Sequence, residues 1–224
     1  YVDTKGERLR DPRRLARIRS LAIPPAWQDV WICPDPKGHI QATGRDARGR
    51  KQYRYHPDWS AFRDQLKFSS LGDFGTVLPP LREQVEADLR RRGTPRERVL
   101  ATVVRLLDIG LIRIGNDRYA LENKSFGATT LRNRHVALQG SDLRFTFTGK
   151  SGKQWKLKVQ DRRIASAIRS LQDLPGQRLF RYRNDDGGVQ DLMSQDVNDY
   201  LRAIVGAGFS SKHFRTWGGS VRAL

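Results

Sequence analysis

Positive charge runs through the whole of this chain, interleaved with apolar periodicity, rather than gathering in a tail. Residues 1–70 carry +7 and residues 71–224 carry +11 of a formal net charge of +18. Such an excess opposes compaction by self-repulsion unless a polyanion neutralises it. A core is nevertheless feasible, since 38% of residues are hydrophobic and five Trp and nine Phe are among them. These facts favour two folded lobes that each touch the polyanion, and 224 residues suit that division. The single cysteine, Cys33, excludes an intrachain disulfide and a cysteine-cluster zinc site. No apolar run approaches the roughly 20 residues that span a bilayer, and no segment reads as a basic amphipathic helix for a membrane surface. The opening residues Tyr1-Val2-Asp3-Thr4-Lys5 are neither an initiator Met nor a signal peptide and read as the middle of a longer chain. The partner these features imply is nucleic acid.

The pattern predicts an α+β fold. In the first lobe, Leu15, Ile18 and Leu21 set a helix over 12–21, which Pro24-Pro25 ends. Strand-like runs over 27–33, 39–43 and 51–55, separated by turn residues, read as a small antiparallel sheet. A helix over 56–68 follows. The expected domains are 1–68, β-rich, and 76–224, larger, mainly helical and carrying a small sheet, with 69–75 as the linker. The second lobe is predicted to begin with a helix over 80–92 closed by Gly93. Thr94-Pro95-Arg96-Glu97 reads as a capping box opening a helix that carries Val99, Leu100, Val103, Leu106, Leu107 and Leu111 and stops at Gly115. Strict alternation predicts strands over 143–148 and 155–159, with the hairpin tip Gly149-Lys150-Ser151-Gly152-Lys153 between them and a further strand over 135–138. Helices are expected over 161–172, capped by Asp161, over 195–205, capped by Ser194, and after Ser210-Ser211.

Common chemistries find little support. Thr148-Gly149-Lys150-Ser151 has Arg144 where a phosphate loop needs glycine, and a strand follows where that loop needs a helix. His39, His56, His135 and His213 are far apart, and none has a metal-ligand partner at helical spacing. What remains is basic chemistry. Residues 131–170 hold ten Lys and Arg against two Asp. Alternation puts much of that charge on one sheet face, which is either a solvated surface or a phosphate-contacting one. In Arg45-Asp46-Ala47-Arg48-Gly49-Arg50-Lys51-Gln52-Tyr53-Arg54-Tyr55, basic residues interleave with aromatics and an amide that can read adenine, although an edge strand would also tolerate two tyrosines. Arg113 ends an almost wholly apolar segment and Arg215 lies among aromatics; each reads either as a structural ion-pair member or as an anion ligand.

Taken together, the motifs resemble a family. Leu21-Ala22-Ile23-Pro24-Pro25-Ala26-Trp27, Gly49-Arg50-Lys51-Gln52-Tyr53-Arg54-Tyr55, Leu111-Ile112-Arg113-Ile114-Gly115-Asn116, Phe147-Thr148-Gly149-Lys150-Ser151-Gly152-Lys153 and Lys212-His213-Phe214-Arg215-Thr216-Trp217-Gly218 occur in order. They resemble successive motifs of the type IB DNA topoisomerases, in particular the short bacterial and poxvirus-like members. The resemblance covers essentially the whole chain.

That resemblance implies a monomeric enzyme that closes as a C-shaped clamp on double-stranded DNA. A tyrosine would attack a phosphodiester to form a 3′-phosphotyrosyl link, and reversal would reseal the strand without ATP, metal or other cofactor. It implies Arg113 and Arg215 as clamps on the non-bridging oxygens and Lys150 as general acid to the leaving 5′ oxygen. It implies DNA contacts by Arg50, Gln52, Tyr53, Tyr55, Asn116, Arg118 and Tyr119, no membrane partner, and a bacterial cytoplasmic, nucleoid-associated location. The family's nucleophilic Tyr and its assisting His or Asn lie several dozen residues beyond the second Arg. Tyr1, Tyr53, Tyr55, Tyr119, Tyr182 and Tyr200 all precede Arg215. The chain is therefore expected to bind DNA without forming the covalent adduct. Two other readings compete. A tyrosine recombinase has a similar Arg–Lys–Arg set but no counterpart to the segment over 49–55, and a non-catalytic DNA-binding module leaves that set coincidental.

Overall fold

The computed structural model describes residues 1–2 and 5–223; Asp3, Thr4 and Leu224, which belong to the reading of the chain's two ends, lie outside the described residues. The fold is mixed α+β and divides into two compact units, Tyr1–Ser69 and Ser70–Leu224.

In the first unit, helix α1 (Pro12–Ser20) opens where Asp11 accepts the backbone N–H of Arg13 at 2.9 Å, with proline in the first turn. Strands β1 (Gln28–Ile32), β2 (Ile40–Arg45) and β3 (Lys51–Tyr55) form an antiparallel sheet in that order. Ala42, fully buried, marks its packed face. Arg54, opposite Ala42 on β3, donates to the Ala22 carbonyl at 2.8 Å and lies over the Trp27 ring. The buried amide of Gln41 accepts from Arg17 at 2.6 Å and donates to the Gly38 carbonyl at 2.6 Å. This fixes the β1–β2 loop against α1. The expected helix and three strands are thus present, the third strand at its expected bounds and the other elements with ends moved by a residue or two.

Helix α2 (Pro57–Leu89) is a correction to the sequence reading: the expected linker over 69–75 is helical, and one helix replaces the two predicted over 56–68 and 80–92. Gly72 and Gly75 cost about 1 kcal/mol each relative to Ala in a helix. Leu71, Phe74, Leu78, Leu81 and Val85 surround them at helical spacing and are all buried, which offsets that cost. The division between units falls inside this helix.

Helix α3 (Arg96–Gly110) is the centre of the second unit, with Val99, Leu100, Val103, Val104, Leu106 and Leu107 each at most 1% exposed. Two further corrections concern its ends. Pro95 is the N-cap and no side chain caps the first turn; the Thr94 carbonyl instead accepts from Arg183 N–H at 3.0 Å. The helix also stops before Gly115, because Leu111 turns left-handed (φ 50°, ψ 26°) while its N–H still bonds the Leu107 carbonyl.

Helix α4 (Asp117–Asn123) escaped the sequence reading, since it buries no residue and so shows no apolar face. Strands β4 (Val136–Gln139), β5 (Asp142–Thr148) and β6 (Gln154–Gln160) pair antiparallel in order. Alternation sends Leu143, Phe145 and Phe147 into the core and Asp142, Arg144 and Thr146 to solvent. Helix α5 (Arg162–Gln172) is capped by Asp161 as expected. The short hairpin β7 (Arg181–Arg183) and β8 (Val189–Asp191) was not anticipated as strands. Helix α6 (Ser194–Val205) begins one residue before expectation: Met193 rather than Ser194 is its N-cap, and its N–H donates to Asp196 at 2.8 Å. Helix α7 (Lys212–Val221) follows Ser211. Helices α5, α6 and α7 all pack on α3. Among the described residues no helix is long and apolar enough to cross a membrane.

Candidate active site and nucleic-acid interface

The left-handed turn at Leu111 sends the chain out of α3 in extended form. Ile112 is buried at 1% exposure and anchors the segment that leaves α3, while its neighbour Arg113 is exposed. The backbone of this segment is pinned from one side. The Arg113 carbonyl accepts from Ala128 N–H and the Ile114 carbonyl from Thr129 N–H, each at 2.8 Å. Only glycine permits that approach at Gly127, where a β-carbon would lie 2.5 Å from both the Arg113 oxygen and the Gly115 nitrogen.

Arg215 arrives on α7. Phe74 of α2 holds that helix by ring contacts to His213, Phe214 and Trp217, with centroids 5.3–6.4 Å apart. The His213 imidazole accepts the Ser210 N–H at 3.0 Å. Burial pushes its pKa down, the Ser210 carbonyl opposes that shift, and the charge of Lys212 adds to it. From this anchored helix the Arg215 guanidinium donates Nη1 to the Leu111 carbonyl at 2.6 Å and lies over the Trp155 ring, 5.9 Å from its centroid. Burial, and then the charge of Arg113, pull the Arg215 pKa down, so the two guanidinium groups are close enough to repel. Arg215 nevertheless remains cationic at any working pH.

Lys150 is exposed in the turn between β5 and β6, which the Gly149 N–H closes onto the Lys153 carbonyl at 2.7 Å. Ser151 adopts φ 64° inside it. Among the described residues, none of Arg113, Lys150 and Arg215 forms an ion pair with a carboxylate, although many other arginines of the chain do. Arg113 and Arg215 are brought together; Lys150 is joined to them only through its hairpin and Trp155. The outward row of that hairpin places Arg144 directly opposite Lys158, and Thr146 opposite Lys156.

The remaining candidates fall in two places. In the first unit, Asp46 organises the β2–β3 turn. It accepts the backbone N–H groups of Arg48 and Arg50 at 2.9 and 3.0 Å, Arg50 Nε at 2.8 Å and Gln52 Nε2 at 2.9 Å. The Arg50 hydrogen bond is the chief reason its carboxyl is held down to about 2. Tyr53 and Tyr55 stack with centroids 6.0 Å apart, with Lys51 over the first ring and Arg63 over the second. In the second unit, Asn116 caps α4 by accepting Tyr119 N–H at 2.9 Å, and Arg118 pairs with Glu122 at 2.9 Å. Asp46, Leu111, Gly127 and Trp155 are the supporting residues that the sequence reading missed. The Asp46-to-Arg50 turn spacing was the one available signal among them. Tyr200 donates to Asp88 at 2.7 Å, and burial and that bond push its phenol far above its usual pKa.

Among the described residues, Arg113, Lys150 and Arg215 thus lie beside a basic antiparallel hairpin with no carboxylate paired to any of them. The model of the eukaryotic DNA topoisomerase I catalytic core matches residues 56–223, and that of the bacterial DNA topoisomerase IB N-terminal domain matches residues 1–46. The chain belongs to the type IB DNA topoisomerase family. A DNA topoisomerase 1B of Acanthamoeba polyphaga mimivirus is 34% identical over 211 residues, covering 92% of this chain and 63% of that protein. DNA topoisomerase 1 of Mycosarcoma maydis is 27% identical, covering 77% of this chain and 19% of its own length. DNA topoisomerase 1B of vaccinia virus (strain Copenhagen) is 24% identical over 48% of this chain and 34% of its own. The chain thus spans less than two thirds of the length of these relatives.

Proposed function

We propose that the chain carries the DNA-gripping and phosphate-activating residues of a type IB topoisomerase that relaxes supercoiled duplex DNA. The observation that supports this reading is that Arg215 reaches the segment of Arg113, donating Nη1 to the Leu111 carbonyl at 2.6 Å, with no carboxylate paired to either arginine among the described residues. Guanidinium groups that no carboxylate occupies keep N–H donors for an anion, and a phosphodiester fits that fork geometry.

In the proposed reaction a tyrosine oxygen attacks the phosphorus in line and releases its proton. The new P–O bond to the tyrosine forms as the bond to the 5′ oxygen breaks. Charge gathers on the non-bridging oxygens, where Arg113 and Arg215 stabilise it. Lys150 gives its proton to the departing 5′ oxygen. The free strand swivels, and the 5′ hydroxyl reverses the step. The phosphotyrosyl link conserves the bond energy, so neither ATP nor metal is consumed. None of the chain's six tyrosines stands where the family resemblance places the nucleophile, since all of them precede Arg215. These 224 residues alone are therefore proposed to bind DNA without cleaving it.

The two compact units are proposed to act as separate domains that close on DNA as a C-shaped monomeric clamp. The first contributes Arg50, Gln52, Tyr53 and Tyr55, and the second contributes Asn116, Arg118 and Tyr119. The test is relaxation of supercoiled plasmid by the complete gene product without ATP or metal, together with a suicide duplex offered to the 224-residue chain. A mobility shift without a covalent adduct is expected from the chain, and an adduct overturns the assignment of the nucleophile.

A further inference from the structure

We infer that Trp155 is a positioning residue that sets the Arg215 guanidinium and the Lys150 hairpin relative to one another; the inference rests on the proposed role of those two cations. The indole touches both. Its face lies under Arg215, with Cζ 5.9 Å from the ring centroid. Its edge lies on Gly149, the residue before Lys150: a β-carbon there would be 2.6 Å from Cδ1 and 2.7 Å from Nε1. The ring is itself fixed, because Trp155 pairs with Phe147 across the strands and stacks on it at 6.2 Å with planes 6° apart. Phe147 is buried in the core.

Chemistry favours an aromatic partner at this place. Arg113 repels Arg215, so something must hold Arg215 in position. A carboxylate would do so but would occupy the N–H fork and cancel the charge that a phosphate needs. A ring face attracts the cation through its quadrupole and takes no donor. Among the described residues Arg215 has only Nη1 engaged in a hydrogen bond, at the Leu111 carbonyl, and the indole supports the rest of the group from below. The same indole leaves no room for a side chain at Gly149, so a displaced ring also displaces the turn that carries Lys150.

The test uses the 224-residue chain and needs no nucleophile. Binding is measured to a nicked duplex ending in a 3′-phosphate, to the same nick ending in a 3′-hydroxyl, and to the intact duplex. The unsubstituted chain is expected to prefer the 3′-phosphate by about tenfold, the size of one charge-assisted hydrogen bond. Trp155→Phe keeps a ring face and should retain that preference within about threefold. Trp155→Leu keeps apolar bulk without a quadrupole and should reduce it to about twofold or less. Gly149→Ala should lower the preference in the same direction by pushing the indole aside. Retention of the full preference by Trp155→Leu overturns the inference. Arg113→Ala and Arg215→Ala separate it from the parent reading: if neither lowers the preference, or if the unsubstituted chain has none, the phosphate-clamp assignment itself falls.

Discussion

The β2–β3 and β5–β6 hairpins are both basic, antiparallel and closed by short turns, yet they treat their cations in opposite ways. At the first, Asp46 gathers Arg50, Gln52 and two backbone N–H groups onto one carboxylate. At the second no carboxylate partners Lys150, Arg144, Lys156 or Lys158, among the described residues, and Arg144 even faces Lys158 across the ladder. A like-charge pair directly opposite is destabilising in a sheet. One hairpin thus spends an acidic residue on holding its side chains in a fixed array, as a reader of groove geometry would require. The other tolerates bare positive charge, as a surface that meets phosphate would require.

Four experiments would break or sharpen that contrast. Lys150→Ala in the complete gene product should lower the cleavage rate by about 10²–10⁴-fold with duplex affinity retained; an equal loss of binding would make Lys150 another phosphate contact instead. Asp46→Ala should remove the carboxylate that Arg50 and Gln52 share and weaken duplex binding by about tenfold, the scale of one hydrogen bond to a charged group. If affinity is unchanged in a filter-binding titration, the array at the first hairpin is not used on DNA. Replacing Lys156 and Lys158 together by Ala should weaken binding uniformly across sequences and lower the slope of log affinity against log salt by about two. The smallest effect is on pH. The Asp46 carboxyl titrates at about 2 in the fold, below its value in an unfolded chain. Its support for the turn is therefore complete above about pH 4 and lost as pH falls through 2. Amide exchange at Arg48 and Arg50, quickening at the low end of that range, would report it.

Much of this contrast was legible in the sequence, because it is written in short-range alternation. Strands β3, β5 and β6 follow from residues two apart, and the turn between β5 and β6 from its glycines. The helix across 69–75 was not legible, since Gly72 and Gly75 are local breakers outvoted by burial of Phe74 and Leu78 against a core formed by distant segments. The helix stop at Leu111 was hidden for a related reason. Leucine has no preference for a left-handed conformation, and the carbonyl it exposes is claimed by Arg215, 104 residues later. Of the site, Arg113, Lys150 and Arg215 were found by resemblance of their motifs. Trp155 and Gly127 act through contacts that no spacing rule reveals.

The Arg144–Lys158 pairing has a consequence for how the protein responds to its ionic surroundings. Added salt screens the repulsion between those side chains, so it should raise the melting temperature of the free protein while lowering its hold on DNA. The two curves should run in opposite directions on one salt axis. In the proposed complex the duplex phosphates would take over from added salt, neutralising Arg144 and Lys158 while giving up their own condensed counterions.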